Sequence, residues 1–352
     1  MRICVLGASG YTGAVLMRLL MDHPKVTELI PVSSTAVGRP IDEVDWGLGA
    51  DTQGKLPSER SLLSRDQALR AKPDAVFSAL PHGVSAQFCK PFFSNSIVLD
   101  LSADFRLKNE EAHRRAYGTA PPMRKLRETA VYGLTELREN DIREANLISV
   151  PGCYPTCALL PILPLAHASV IASATITINS LSGISGAGRS EKKDSMFVER
   201  SENALAYNPG ISHRHHPEMV QEIRRAGISC NLFFIPHLVP MRRGIFSTIS
   251  VPVNGEHREI AMRVEEALGR AYADKLFINL TGNRIPSTRD VVGSNRCDIG
   301  WTVESTGNGV SMLFLFSVID NLLKGASGQA IQDFNIRFGF PQDCGLPLRG
   351  EV

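Results

Sequence analysis

The stretch Ile3-Cys4-Val5-Leu6 followed by Gly7-Ala8-Ser9-Gly10-Tyr11-Thr12-Gly13 constrains this chain more than any other. Four apolar residues predict a buried strand. Beyond the glycines, Ala14, Val15, Leu16, Leu19 and Leu20 recur at helical spacing. Strand, glycine turn and helix, in that order, are the setting in which backbone N–H groups receive a dinucleotide pyrophosphate. The glycines fall at 7, 10 and 13, so the spacing is GxxGxxG rather than GxGxxG. Gly7 suits the tight turn and Gly10 the close approach of the pyrophosphate to the helix. An ordinary glycine-rich turn between strand and helix is the plainer alternative.

Further strands follow at Thr27–Val32, Asp74–Leu80, Ile97–Leu101 and Leu147–Val150, with helical patterns between them. That alternation predicts an α/β domain with a Rossmann-type, doubly wound parallel sheet, whose strand ends open on one ligand-binding edge. The second strand ends at Ser33-Ser34-Thr35, with Arg39 nearby and no carboxylate before Asp42. Hydroxyls and an arginine in place of an acid favour a ribose 2′-phosphate, hence NADP(H). Residues 107–135 are polar and proline-bearing and read as an irregular excursion.

At Val150-Pro151-Gly152-Cys153-Tyr154-Pro155-Thr156, a thiol falls between the end of a strand and the start of a helix. The positive end of a helix dipole favours the thiolate there. A buried, inert cysteine is the alternative. Cys157, one turn later, is expected in the core. The second half changes character. Segments 174–179, 231–235, 244–251 and 275–280 are β-rich, residues 256–273 are helical, and a helical pattern returns over 318–338. These predict an α+β domain with a mixed or antiparallel sheet.

Two constellations in this half carry chemistry. The small-residue loop Ser182–Gly188 is followed by Arg189, which with Arg106 is a candidate anion receiver. The segment His213-Arg214-His215-His216-Pro217-Glu218 offers a base for the thiol. Alternation along an extended chain puts only His213 and His215 on one face, and no HExxH pattern accompanies them, so no metal is expected. Dispersed charge, with a formal net +2, predicts no nucleic-acid partner. No apolar run reaches membrane-spanning length. Seven cysteines without a CxxC pair, and no signal-like start, predict a reduced, cytoplasmic protein.

With these residues in view, the chain resembles the N-acetyl-γ-glutamyl-phosphate reductases of arginine biosynthesis. The resemblance is carried by GASGYTGA at 7–14, SALPHG at 78–83, LDLSADFRL at 99–107 and VYGLTEL at 131–137. It continues through PGCYPT at 151–156, SGISGAGR at 182–189, HRHHPE at 213–218, PHLVPMRRG at 236–244 and KGASGQA at 324–330. His216 departs from the family's common Thr, and Val150 from its frequent Asn.

The resemblance implies NADPH-dependent reduction of an acyl phosphate to an aldehyde through a Cys153 thioester. His215 is the first choice as proton carrier and His213 the second. It further implies a cofactor site of Gly7, Ser9, Gly10, Tyr11, Thr12, Gly13, Ser33, Ser34, Arg39, Ser185, Gly186 and Gly325, and a substrate site of Arg106, Arg189 and Tyr154. Residues 1–150, completed by a C-terminal helix within 318–352, form the expected cofactor domain. Residues 151–317 form the catalytic and dimerisation domain of a homodimer or homotetramer. The rival readings are a lysine-pathway reductase acting on a carrier-bound aminoadipyl phosphate, and a sensor that binds NADP without turnover.

Overall fold

The computed structural model describes residues 1–351 except 50, 52, 172–174, 190–195 and 308. The chain divides into two compact units, Met1–Gly152 with Ala326–Pro347, and Cys153–Gly325 with Leu348–Val352.

The first unit holds six strands: β1 (Arg2–Leu6), β2 (Glu28–Val32), β3 (Ala75–Ser78), β4 (Ile97–Asp100), β5 (Val131–Tyr132) and β6 (Leu147–Ser149). Their order is β2-β1-β3-β4-β6-β5, and every pairing is parallel. Ile3, Cys4, Val5 and Leu6 have no exposed surface, as a strand covered on both faces requires. The chain moves from β1 to β2 on one side and then to β3 on the other. The order therefore reverses beside β1, where open α/β sheets bind ligands. Helix Tyr11–Asp22 buries Gly13, Leu16, Met17 and Leu20, one stripe at helical spacing.

The excursion expected over 107–135 is instead ordered as helices Glu110–Tyr117 and Arg124–Thr129, followed by β5. Caps rather than apolar periodicity make the first helix. The Asn109 side chain accepts from Ala112 N, Glu110 and Glu111 fill the first turn, Arg114 and Arg115 the last, and Gly118 ends it at φ +73°.

Helix Gly328–Arg337 also belongs to this unit, and it buries polar side chains against matched partners. Gln329 donates to the Gly133 carbonyl at 2.8 Å, Thr135 donates to Asp333 at 2.6 Å, and Asn335 meets His23 at 2.9 Å. A Cβ on Gly133 would lie 2.3 Å from the Asp333 carboxylate, so this packing admits only glycine. The helix is shorter than the pattern over 318–338, because Val318 and Ile319 complete a strand and a π-helical turn, Leu323–Ser327, intervenes. An apolar run reads alike as buried helix or buried strand, and pairing decides it.

The second unit holds β7 (Thr175–Ser182), β8 (Leu205–Ala206), β9 (Asn231–Leu238), β10 (Ile245–Asn254), β11 (Ile278–Gly282), β12 (Cys297–Gly307) and β13 (Val310–Ile319). Ala174, where the sequence starts β7, lies outside the described residues. The order is β11-β12-β13-β10-β7-β9-β8. Pairs β11/β12 and β7/β9 are parallel and the rest antiparallel, so the sheet is mixed.

Helix Cys153–His167 packs against β10, β13 and helices His216–Arg225 and His257–Tyr272. Every residue from Tyr154 to Ala166 is buried, so it is apolar on all sides. Pro164 cannot donate to the Leu160 carbonyl, and the Tyr272 hydroxyl takes that place at 2.5 Å. Among the described residues no helix is long and apolar enough to cross a membrane.

Candidate active site

Cys153 is the first residue of its helix and partly exposed, unlike Cys157, which is fully buried. A sulfur at a helix start faces the positive end of the dipole. Pro155 lies in the first turn, where its missing N–H leaves no helical bond unmade. Gly325 packs directly on this thiol. A Cβ there would approach the Cys153 Cβ to 2.8 Å. Gly325, named above only as a cofactor residue, thus makes its close approach within its own unit, to Cys153.

The neighbouring Tyr154 ties the thiol to the histidines. Its ring makes edge contacts with His213 at 5.6 Å, His215 at 5.9 Å and Phe234 at 5.1 Å. His213 and His215 lie 5.0 Å apart, and both are buried. The His215 backbone N–H donates to His213 Nδ1 at 3.1 Å. Burial, with the charges of Arg214 and His216 added, lowers His213 to about 3 and keeps it neutral. His215 is the N-cap of helix His216–Arg225. The His216 ring nitrogen lies 3.0 Å from the Leu232 carbonyl, which directs that side chain onto β9. Among the described residues, no group of three or more His, Cys, Asp or Glu is placed to hold a metal ion.

One residue in this group was not read from the sequence. The Tyr207 hydroxyl meets that of Tyr154 at 3.0 Å, and its ring lies 5.5 Å from His213. Its only signal is an aromatic residue before the turn formers Asn208-Pro209-Gly210.

Asp320 and Asn321, also unread, tie together the loops at this end of the sheet. The Asp320 carboxylate accepts from Arg243 at 2.9 Å, from the backbone of Leu322 and Leu323, and from Gly293 N. Its carbonyl receives Gly325 N at 2.9 Å. Asn321 accepts from Gly244 N and donates to the Ser185 hydroxyl at 3.0 Å. The Ser182–Gly188 loop is thereby fixed against Arg242 and Arg243. Gly183 has no room for a Cβ beside Arg243 N, and Gly186 faces the Ser182 hydroxyl. Arg189 is exposed.

In the other unit, the glycine loop has the shape of a phosphate cradle. Gly7 adopts φ +79°, and a Cβ there would lie 2.9 Å from the Ala79 carbonyl oxygen. A Cβ on Gly13 would lie 2.2 Å from the Gly7 carbonyl oxygen. Gly10 caps the helix without a side chain. Tyr11 is exposed and Ser9 half-buried, and the Thr12 carbonyl accepts from Ser327 at 3.0 Å. These residues fit a dinucleotide pyrophosphate, because bare backbone lies where side chains would block it.

Beyond β2, the Ser33 hydroxyl accepts from Thr35 and Ala36 N and so shapes the turn, while Ser34 is exposed. Arg39 is half-exposed and paired with Glu43 at 3.0 Å. Arg106 is buried, donating to the carbonyls of Val150 at 2.8 Å and Leu101 at 2.7 Å. It thus holds the chain three residues before Cys153.

The first unit's glycine cradle and the second unit's helix-start thiol define a class, the semialdehyde dehydrogenases. The family model described as semialdehyde dehydrogenase, NAD binding domain, matches residues 2–145, and the dimerisation domain of the same class matches 153–321. Proteins named N-acetyl-γ-glutamyl-phosphate reductase match over almost the whole length. That of Afipia carboxidovorans is 41% identical, covering 98% of this chain and 97% of its own. That of Geotalea daltonii is 40% identical, covering 99% of each. The chain belongs to the N-acetyl-γ-glutamyl-phosphate reductase family.

Solved structures carry the same fold. Aspartate semialdehyde dehydrogenase II from Vibrio cholerae, complexed with ASA, superposes with a TM-score of 0.70 at 16% identity, covering 96% of this chain and 98% of its own. The aspartate semialdehyde dehydrogenase with NADP from Candida albicans gives 0.63 at 16%, covering 95% and 97%.

Proposed function

We propose that this chain reduces N-acetyl-γ-glutamyl phosphate to N-acetylglutamate semialdehyde with NADPH as reductant, the third step of arginine biosynthesis. The observation that carries this reading is Cys153 at a helix start, joined to His215 through the Tyr154 ring.

His215 takes the thiol proton. The thiolate then attacks the acyl carbon, a C–S bond forms, and the C–O bond to phosphate breaks. The departing phosphate keeps that electron pair and receives the proton from His215. Splitting one displacement into two is the advantage of covalent capture. When bound, NADPH supplies the hydride that converts the thioester to a thiohemiacetal. Collapse of the thiohemiacetal oxyanion breaks the C–S bond and releases aldehyde and thiolate, which takes a proton from solvent to restore the thiol. Of the three histidines, His215 suits the proton transfer, since His213 is held neutral and His216 is directed onto Leu232.

The glycine cradle receives the cofactor pyrophosphate, with Ser9, Tyr11 and Thr12 around it. Ser34 and Arg39 meet the 2′-phosphate once Arg39 exchanges Glu43 for that anion. Ser185 and Gly186 belong to the proposed cofactor-binding set. Arg189 meets the substrate and Arg106 sets the approach to the thiol, while Tyr154, expected at the substrate, is instead buried against the histidine rings.

The match to a dimerisation domain supports self-association. We assign a homodimer to the face of the mixed sheet on which Leu181, Phe233, Phe246 and Phe316 lie. There Phe246 and Phe316 contact each other at 6.3 Å, and Leu181 and Phe233 are exposed. Seven cysteines with no CxxC pair suit the reducing cytoplasm.

The test runs the reaction backwards with purified protein, semialdehyde, phosphate and NADP. Formation of NADPH with N-acetylglutamate semialdehyde is the expected result. Turnover confined to the aminoadipate counterpart, or to neither, would overturn the assignment.

A further inference from the structure

Acyl transfer to a thiol places negative charge on the carbonyl oxygen twice, in the first tetrahedral adduct and again in the thiohemiacetal. A donor aimed at that oxygen is worth a large factor in rate, and the proposed chemistry has not yet supplied one. From the Tyr154–Tyr207 pair we infer that the Tyr207 hydroxyl is this donor, an inference that rests on the Cys153 chemistry proposed above.

The geometry gives the two phenols unequal roles. Tyr154 is buried and enclosed by the rings of His213, His215 and Phe234. A buried O–H must place its proton on an acceptor, and the Tyr207 oxygen at 3.0 Å supplies one. Tyr207 is only half-buried and keeps its own proton for a further partner. Burial raises the pKa of both phenols, and charge on Cys153 raises it further, so the pair stays protonated and lies within electrostatic reach of the sulfur.

The backbone holds Tyr207 under strain. Asn208 adopts φ +42° immediately before Pro209, a conformation disfavoured for a residue that is not glycine and precedes proline. Pairing with β9 on both sides maintains it. Leu205 and Ala206 pair with Leu238 and His237, Tyr207 N donates to the Pro236 carbonyl, and Gly210 and Phe234 exchange both backbone bonds. Strain held in place by flanking structure is found at functional sites.

In the chemical step, Tyr207 donates a hydrogen bond to the adduct oxygen and keeps its proton. The C–S bond forms as the carbonyl π electrons move to that oxygen. They return as phosphate leaves with the C–O pair. The same contact recurs on the thiohemiacetal oxygen before the thiolate departs.

Tyr207→Phe keeps the ring and removes the donor. Turnover should fall on the order of a hundredfold, with NADPH affinity unchanged. The pH profile of Cys153 alkylation by iodoacetamide should also be unchanged, because displacement at a saturated carbon develops no oxyanion. Turnover within about threefold of the parent would overturn the inference. So would a matching loss in alkylation, which would place the phenol's effect on the thiol instead.

Tyr154→Phe provides a second reading, and its loss should stay under about tenfold because Tyr207 still donates. A larger loss for Tyr154→Phe than for Tyr207→Phe reverses the roles and also overturns the inference. The underlying Cys153 reading fails separately, by persistence of turnover in Cys153→Ala.

Discussion

His213 Nδ1 accepts the backbone N–H of His215, and this single bond separates two histidines that the sequence could not tell apart. Alternation suggested that both reach one face, and their rings do lie 5.0 Å apart. Sequence could not show which of them would be used up in holding the turn. The role of His213 has a consequence for stability. Its folded pKa, about 3, lies below the ordinary value of 6.5, so the unfolded chain takes up this proton first on acidification. His213 therefore contributes stability that is fully present above about pH 6.5 and is lost as pH falls toward 3, with each tenfold of proton affinity worth about 1.4 kcal/mol. Urea midpoints from pH 4 to 8 should fall more steeply on the acid side for the parent than for His213→Gln. Parallel curves would show that His213 is not held neutral by the fold.

At the scale of elements, the turn Leu323–Ser327 decides where Cys153 sits. Asp320 anchors it through Leu322 N, Leu323 N and its own carbonyl on Gly325 N. Gly325→Ala would bring a methyl to 2.8 Å from the Cys153 Cβ and 3.2 Å from the Ile319 side chain. Displacing the nucleophile should cost on the order of a hundredfold in turnover and about 1–3 kcal/mol in stability, with NADPH affinity kept. Unchanged turnover would contradict the placement.

Gly325 was legible in the sequence only as a cofactor residue. Its contact with Cys153 was not, because it is brought about by pairing of β13 with β10 and β12. The helices at 110–117 and 124–129 escaped notice for the opposite reason. The first is made by its Asn109 cap and terminal charges, the second has no side-chain N-cap, and the apolar spacing of both is too sparse to register.

For the whole molecule, the parallel sheet was the most legible part. Its strands are continuous apolar runs, and each alternates with a helical pattern. The return of helix Gly328–Arg337 to the first unit depends on buried polar pairs such as Gln329 with Gly133. No periodicity encodes such pairs. The place of Cys153 at a helix start was legible from the Pro-Gly-Cys stretch, while Tyr207, Asp320 and Asn321 were not read, since their contacts are made through residues distant in sequence.

The central claim is that Cys153 captures the acyl group before any hydride moves. Mixing the enzyme with acyl phosphate in the absence of NADPH tests it most directly, by following phosphate release and the mass of the chain. About one phosphate per chain should appear in a burst, with an acyl adduct on the Cys153 peptide, and Cys153→Ala should give neither. Phosphate that appears only once NADPH is added, or a burst that persists in Cys153→Ala, would contradict it.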